Sequence, residues 1–387
     1  LAQGLASLGH QVTIAALHAN YRSLRQTRFQ EAGVDVWYVA QMHVRKQGDL
    51  KSYYPTHQLL ALMARATWAL TRAALTVRTG IVHIGKPQPM NSVAGLVARY
   101  VRGRRVLLDC DDYEAGSNRF GGEWQRRVVA LFEDYVPRHV HHVTAHTRFL
   151  RDRLLALGIP PERITRLPNG VDRERFSRID PAQVEALRSK LGLVGKRVVA
   201  FIGSLSSPSH PVDLLLDAFA RVRRVRPDSA LLIVGGGEEF GRLKDQVQQM
   251  GLAEASVFCG RIPGTQVPAY YRLADVVVDP VYDDEVGQSR MPLKLFESWA
   301  SGVPFVTGDV GDRRSVLGSP PAGVLVQPGD PTALSAGILG VLSDPEQARS
   351  LCVRGLERVE DYYWDYLARK MEAIYLSVAS LSRTKVE

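Results

Sequence analysis

Read from its amino end, the chain alternates short apolar runs with longer amphipathic stretches. The short runs are rich in Val, Ile and Leu: 12–17 (VTIAAL), 34–40, 81–84 (IVHI), 105–109 (RVLLD) and 141–145, then 197–203 (RVVAFIG), 230–235 (ALLIVG), 256–260, 276–280 (VVVDP), 304–308 and 323–327. Runs this short and this apolar predict strands buried on both faces. Helical stretches lie between them, notably 55–78 and 122–136, and an amphipathic helix closes the chain over 362–380. Strands alternating with helices dictate βαβ units and parallel sheets. Two such series predict an α/β protein of two doubly wound domains, 1–175 and 176–361, followed by a terminal helical segment, 362–387. The turn-rich Pro168-Asn169-Gly170 leads into the boundary. The opening LAQGLASLGHQVTIAAL reads as a helix stopped by Gly9 and then a strand. That is the second half of a βαβ unit, so a first strand is expected to be missing.

Composition narrows the class. The chain has 387 residues, 45% hydrophobic and 23% charged, which fits a globular protein and excludes collagen, a coiled coil or a disordered chain. The most apolar helical stretch, 58–77, carries Arg65 and Arg72 and reads as a buried or interfacial helix. Cys110, Cys259 and Cys352 are far apart, without partners at metal-ligand spacing. They read as inert thiols in a reducing, cytoplasmic setting. The net charge of +9 is uneven: residues 1–175 hold 25 Lys and Arg against 14 Asp and Glu, the remainder 24 against 26. A basic first half suits anionic lipid at the inner face of a membrane or an anionic acceptor, or simply keeps the surface soluble. No basic stripe interleaved with aromatics points to nucleic acid.

Chemistry concentrates at strand ends. In 279–307 a strand ends at Asp279, an acidic loop follows, and a helix begins near Pro292. A helix N-terminus at the carboxyl edge of a sheet favours an anion. Arg290 and Lys294 flank it and would suit a diphosphate, while Glu297 one turn on would accept ribose hydroxyls. The same residues also fit an ordinary solvated helix. The glycine loops 201–211 and 233–243 follow the first two strands of the second half, with Gly203 and Gly235 allowing close backbone approach. In the first half, Asp109, Asp111, Asp112 and Glu114 crowd one strand end. They could bind Mg²⁺ or Mn²⁺, hold one carboxyl at raised pKa, bond an acceptor's hydroxyls, or form a turn. His83 and Lys86 end a neighbouring strand and are expected to face the site, while His141 and His142 read as packing residues. Nucleophile-elbow, zinc-protease and Walker motifs are lacking.

The order LPNGVD, FIGSL…HPVDLLLDAF, LLIVGGGE, VFCGRIP, YYRLADVVVDP, RMPLKLFESWASGVPFVTGDVG resembles the retaining glycosyltransferases of family 4 over nearly the whole chain, most closely over 165–330. The resemblance implies the GT-B architecture: two Rossmann-like domains facing across a cleft, the nucleotide on the second, and the last helix crossing back to the first. It implies a UDP- or GDP-sugar as donor, no cofactor or metal, and a glycan, lipid-linked or small-molecule acceptor on the basic first domain. Glu297 matches the second glutamate of an E-x7-E signature and would hold the ribose. Met291, Pro292, Leu293, Lys294 and Leu295 would form the helix start beneath the diphosphate. Gly203 and Ser204 would lie near the phosphates, and Arg261 and Ile262 would clamp the base. The chain departs from the family pattern at several points. Ser289 stands eight residues before Glu297, where the first glutamate is usual, with Glu285 nearby. Ser204 and His210 replace a usual arginine and lysine, with Arg290 and Lys294 as substitutes. Asp111 and Asp112 stand where a strand-end histidine is usual. The candidate catalytic set is therefore Asp111, Asp112, Glu285 and Ser289. A non-catalytic GT-B-like scaffold, a nucleotide-sugar epimerase and a metal-dependent transferase built on Asp109-Cys110-Asp111 remain alternatives.

Overall fold

The computed structural model describes residues 1–380 apart from 48–49 and 207–208. The helical segment expected to end at 387 therefore runs partly outside the described residues, as does the middle of the 201–211 loop. The chain divides into two compact units, one of Leu1–Pro168 with the terminal segment from Asp365, the other Asn169–Trp364.

In the first unit, a parallel sheet joins Ile81–Ile84, Arg105–Cys110, His142–Ala145 and Ile164–Arg166, in that order. A second sheet pairs Val12–His18 parallel to Val34–Gln41, which also takes Arg28–Glu31 antiparallel. The strands thus fall into three sheets, the third pairing Val44–Gln47 with Leu50–Tyr53, and the antiparallel pairings were not expected from the apolar pattern. Helix Pro89–Arg102 shows how sequence sets its ends: proline opens its first turn and Gly103, at φ +63°, closes it in the left-handed region. The terminal helix Trp364–Ser380 belongs to this unit from Asp365 onward. Tyr375 meets His83 at 2.7 Å and Glu372 meets His10 at 2.7 Å.

The second unit holds one six-stranded parallel sheet. Its order is Ser256–Gly260, Ser229–Val234, Arg197–Ile202, Val276–Asp279, Phe305–Gly308, Val324–Val326. Strands such as Ser229–Val234 and Val276–Asp279 are buried along their whole length, as helices on both faces require. Chain order reverses between Arg197–Ile202 and Val276–Asp279. At such a switch point the loops leave the sheet in opposite directions and open a crevice at the strands' carboxyl ends. The Gly203 turn and Asp279 both lie there.

Two loops cross at this point with little room. Gly235 sits at φ +142°, and a Cβ on it would lie 1.8 Å from the Gly203 carbonyl oxygen. Backbone N–H groups lock the crossing: Gly203 donates to Val234 at 2.9 Å and Leu205 to Gly236 at 3.1 Å. Gly235→Ala is therefore expected to cost about 2–3 kcal/mol, lowering Tm by roughly 5–10 °C by calorimetry. Gly264→Ala, where an added Cβ meets nothing within 4 Å, is expected to leave Tm unchanged.

Candidate active site

In the second unit the site grows from the end of Val276–Asp279. Asp279 is completely buried, and three cations converge on its carboxylate. Lys294 Nζ donates to Oδ1 at 2.8 Å, Arg290 Nη2 to Oδ1 at 3.1 Å and Arg313 Nη2 to Oδ2 at 3.1 Å. Burial alone would raise the Asp279 carboxyl, but Arg290, Lys294 and Arg313 outweigh it and hold it well below the ordinary range. Burial pulls the Lys294 ammonium down to about 8, with Arg290 and Arg313 acting in the same sense against Asp279. Arg290 Nη1 also hydrogen-bonds His210 Nδ1. Burial and the two cations Lys294 and Arg290 push His210 down to about 2, so it is a neutral ring.

These findings correct several expectations. Arg290 and Lys294 do not stand as solvated flanking groups; both are buried and ion-paired. The helix runs Leu293–Ala300 with Pro292 at its cap, where no side chain accepts a bond from its first turn. Met291 and Leu295 are buried in the apolar core, while Leu293 is exposed. Glu297 already accepts from Arg175 Nη2 at 2.6 Å and from Tyr271 Oη at 2.8 Å. Each carboxylate oxygen keeps a lone pair for a further donor. Ser289 is buried and its Oγ donates to the Val286 carbonyl at 3.0 Å, within the short helix Glu285–Ser289. Glu285 is exposed at the start of that helix. Ser204 is exposed with its Oγ 3.0 Å from that of Ser206, Arg261 is exposed, and Ile262 packs half-buried against the core.

In the first unit, Lys86 Nζ lies 2.6 Å from Glu114 Oε1, 3.1 Å from Asp111 Oδ2 and 3.6 Å from Asp112 Oδ2. Burial and neighbouring Asp111 push Asp112 up to about 6 despite Lys86. The Asp111, Asp112 and Glu114 oxygens lie within 4.8 Å of one another, close enough to share a cation, and the Lys86 ammonium already serves them. Asp109 faces a different set: Thr144 Oγ1 and His146 Nε2, the latter at 3.3 Å. Asp109 and Asp111 thus do not converge as a metal-binding D-x-D pair, and Cys110 is buried with its thiol pushed up. His83 is the third residue of Ile81–Ile84; its Nδ1 lies 2.7 Å from Tyr375 Oη, and burial lowers its pKa while Asp109 acts in the opposite sense. His142 bonds Thr165 Oγ1 at 2.8 Å and His141 Nδ1 accepts from the Val106 N–H, in keeping with packing roles.

Sequence reasoning missed Asp279 as an organiser, and with it Arg313, Arg175 and Tyr271. The signal for Asp279 was present: an ionisable residue closing a wholly apolar strand must find cations.

A doubly wound sheet with cations gathered at its switch point suits an anionic ligand. Two family models match the chain: "Glycosyl transferase 4-like domain" over residues 1–170 and "Glycosyl transferases group 1" over 196–344. The chain is 29% identical over 287 residues to the GDP-mannose-dependent alpha-(1-6)-phosphatidylinositol monomannoside mannosyltransferase of Mycolicibacterium smegmatis, covering 73% of this chain and 72% of that one. It is 30% identical to the D-inositol 3-phosphate glycosyltransferase of Segniliparus rotundus, covering 56% of this chain and 47% of that one. Among solved structures, sucrose-phosphate synthase from Thermosynechococcus elongatus superposes with TM-score 0.77 at 21% identity, covering 98% and 92% of the two chains. Anabaena HepE in complex with UDP-glucose gives TM-score 0.67 at 19% identity over 84% of each. The chain belongs to family 4 of the retaining glycosyltransferases, with the GT-B fold. The scaffold and epimerase alternatives are not favoured.

Burial pushes Glu133 up to about 7, although it accepts from the Glu114 and Ala115 N–H groups at 2.7 and 3.0 Å. A carboxyl raised on folding stabilises fully below its unfolded pKa, and that stability is lost as pH rises through the folded value. Glu133→Gln removes this titration. Relative to wild type, its stability should therefore rise by up to ~3 kcal/mol from pH 5 to pH 7.5, read by calorimetry at both pH values.

Proposed function

We propose that the chain transfers a hexose from a nucleoside diphosphate to a hydroxyl of a glycolipid acceptor, with GDP-mannose the first donor to test. The observation that carries this reading is the buried cation group at the switch point of the second sheet. The relatives' names support it: one uses GDP-mannose on a phosphatidylinositol mannoside, another acts on an inositol phosphate. The diphosphate lies against Arg290 and Lys294, at the start of Leu293–Ala300, and the ribose hydroxyls donate to the remaining lone pairs of Glu297. Gly203, Ser204, Gly235 and His210 line the phosphate side, and Arg261 the base. Charge building on the leaving diphosphate is met by fixed cations, which cost no reorganisation as the glycosidic bond breaks. That arrangement needs no divalent ion, and transfer is expected to continue in excess chelator. Asp111 and Asp112 accept from acceptor hydroxyls; Asp111 Oδ1 is buried and has no partner among the described residues. Glu285 and Ser289 are assigned to the donor-sugar side.

GDP-mannose is expected to raise Tm by mass action, about 2.7 kcal/mol of stabilisation at a hundredfold excess over Kd, while mannose alone leaves it unchanged and guanosine at the same concentration raises it less. Failure of every UDP- and GDP-hexose to raise Tm contradicts the reading.

Contact with a membrane surface is the second part of the proposal. No helix among the described residues is long and apolar enough to cross a membrane. Helix Glu123–Tyr135 presents exposed Trp124, Leu131 and Tyr135 at spacings that share one face, with exposed Arg127 among them. Such a face suits the boundary between acyl chains and anionic headgroups. The double change Trp124→Ala with Leu131→Ala is expected to weaken sedimentation with phosphatidylglycerol vesicles roughly tenfold, with Tm unchanged.

A further inference from the structure

Arg290 and Lys294, the groups assigned above to the diphosphate, have little freedom. Lys294 Nζ lies 4.5 Å from the centre of the Phe201 ring, and a Cβ on Gly203 would approach its Cε to 3.3 Å. Arg290 donates to His210 Nδ1, which leaves the ring proton on Nε2. Arg290 Nε is buried and has no partner among the described residues. Both cations end on the Asp279 carboxylate. Arg313, almost wholly buried, holds the other oxygen of that carboxylate and also donates to the Gly287 and Val310 carbonyls at 3.0 and 3.2 Å. Asp279 is thereby tied to the loop that carries Glu285 and Ser289. Three positive charges against one negative leave these four side chains two positive charges in excess. A diphosphate diester carries two negative charges.

We propose that Asp279 is a positioning residue for the donor: its carboxylate fixes the Arg290 guanidinium and the Lys294 ammonium beside the Gly203 turn, so that a diphosphate meets two preformed cations. This inference rests on the donor-site reading above. It opposes the simpler view that Asp279 is only a counter-charge, and the two views differ in sign. Removing a mere counter-charge strengthens the binding of an anion. Removing a positioning residue weakens it, despite the added net charge, because the cations lose their shared anchor and their order is lost before binding.

A pH profile gives a second, independent readout. The groups facing Lys294 are Asp279, Arg290, Arg313 and the neutral His210, with Asp312 beside Arg313. Burial sets Lys294 at about 8, so its charge is lost as pH rises through that value. Without the Asp279 carboxylate that loss moves to lower pH.

The experiment is calorimetric titration of GDP, UDP and guanosine into the full chain, wild type and Asp279→Asn, from pH 6.5 to 9. Wild-type affinity for GDP is expected to fall about tenfold between pH 7 and 9. Asp279→Asn is expected to bind GDP at least tenfold more weakly at pH 7.5, to begin its decline below pH 7, and to bind guanosine as the wild type does. GDP bound by Asp279→Asn as tightly as by wild type, or more tightly, overturns the proposal. Should that variant fail to fold, the wild-type profile decides, and a flat GDP affinity from pH 7 to 9 overturns it. A wild type that binds neither GDP nor UDP overturns the donor-site reading and this inference with it, whereas tight wild-type binding with an undiminished variant overturns this inference alone.

Discussion

The second unit is organised around one buried carboxylate. Taking an ionised Asp279 out of water costs several kcal/mol unless cations and hydrogen-bond donors surround it. Lys294, Arg290 and Arg313 supply both, and they reach it from different parts of the chain. Lys294 is the second residue of the helix after the acidic loop, Arg290 ends that loop, and Arg313 lies in the short helix Arg313–Leu317 beyond the next strand. Satisfying a single charge therefore fixes the relative positions of three segments at the carboxyl edge of the sheet. Removing any one partner leaves uncompensated charge in an apolar surround, so the cluster is expected to behave as a unit and its parts not to add.

The backbone provides the room in which this cluster works. A doubly wound sheet opens its crevice where strand order reverses, and the two loops that meet there pass each other because Gly235 has no side chain. The Gly203 turn also lies against Lys294, where a Cβ would come within 3.3 Å of Cε, so this glycine favours the close seating of the ammonium. Glu297 is held by a comparable logic on a smaller scale. Tyr271, wholly buried, and Arg175 each take one of its oxygens, which orients the carboxylate and leaves one lone pair per oxygen. Both devices place charge at fixed points before any ligand arrives, which suits a reaction whose demand on the protein is mainly positioning and stabilisation of a departing diphosphate.

Much of this was legible in the sequence. Short apolar runs between helical stretches gave the strands of the second unit almost residue by residue, because strands buried on both faces leave no alternating pattern to misread. The loops at Gly203 and Gly235 and the segment 279–297 were recognisable from their glycines and their charges. What stayed hidden is non-local. Nothing in the string VVVDP says that the aspartate binds Arg313, thirty-four residues on, or that Arg175 reaches Glu297 across more than a hundred. Met291, Leu295 and Ile262 matched a family pattern for binding, yet the hydrophobic effect draws them into the core. In the first unit, the crowding of Asp109, Asp111, Asp112 and Glu114 suggested one shared site. The strand instead ends at Cys110: Asp109, still within it, meets His146, and the turn that follows carries the others to Lys86.

The central claim is that a nucleoside diphosphate is held at the end of Val276–Asp279 by Arg290 and Lys294, with its ribose on Glu297. A crystal structure of the full chain with GDP bound tests it most directly. The account predicts phosphate oxygens within hydrogen-bond distance of the Arg290 guanidinium and the Lys294 ammonium, and both ribose hydroxyls on the Glu297 carboxylate. A GDP molecule seated elsewhere, with Arg290 and Lys294 still occupied by Asp279 alone, would contradict it.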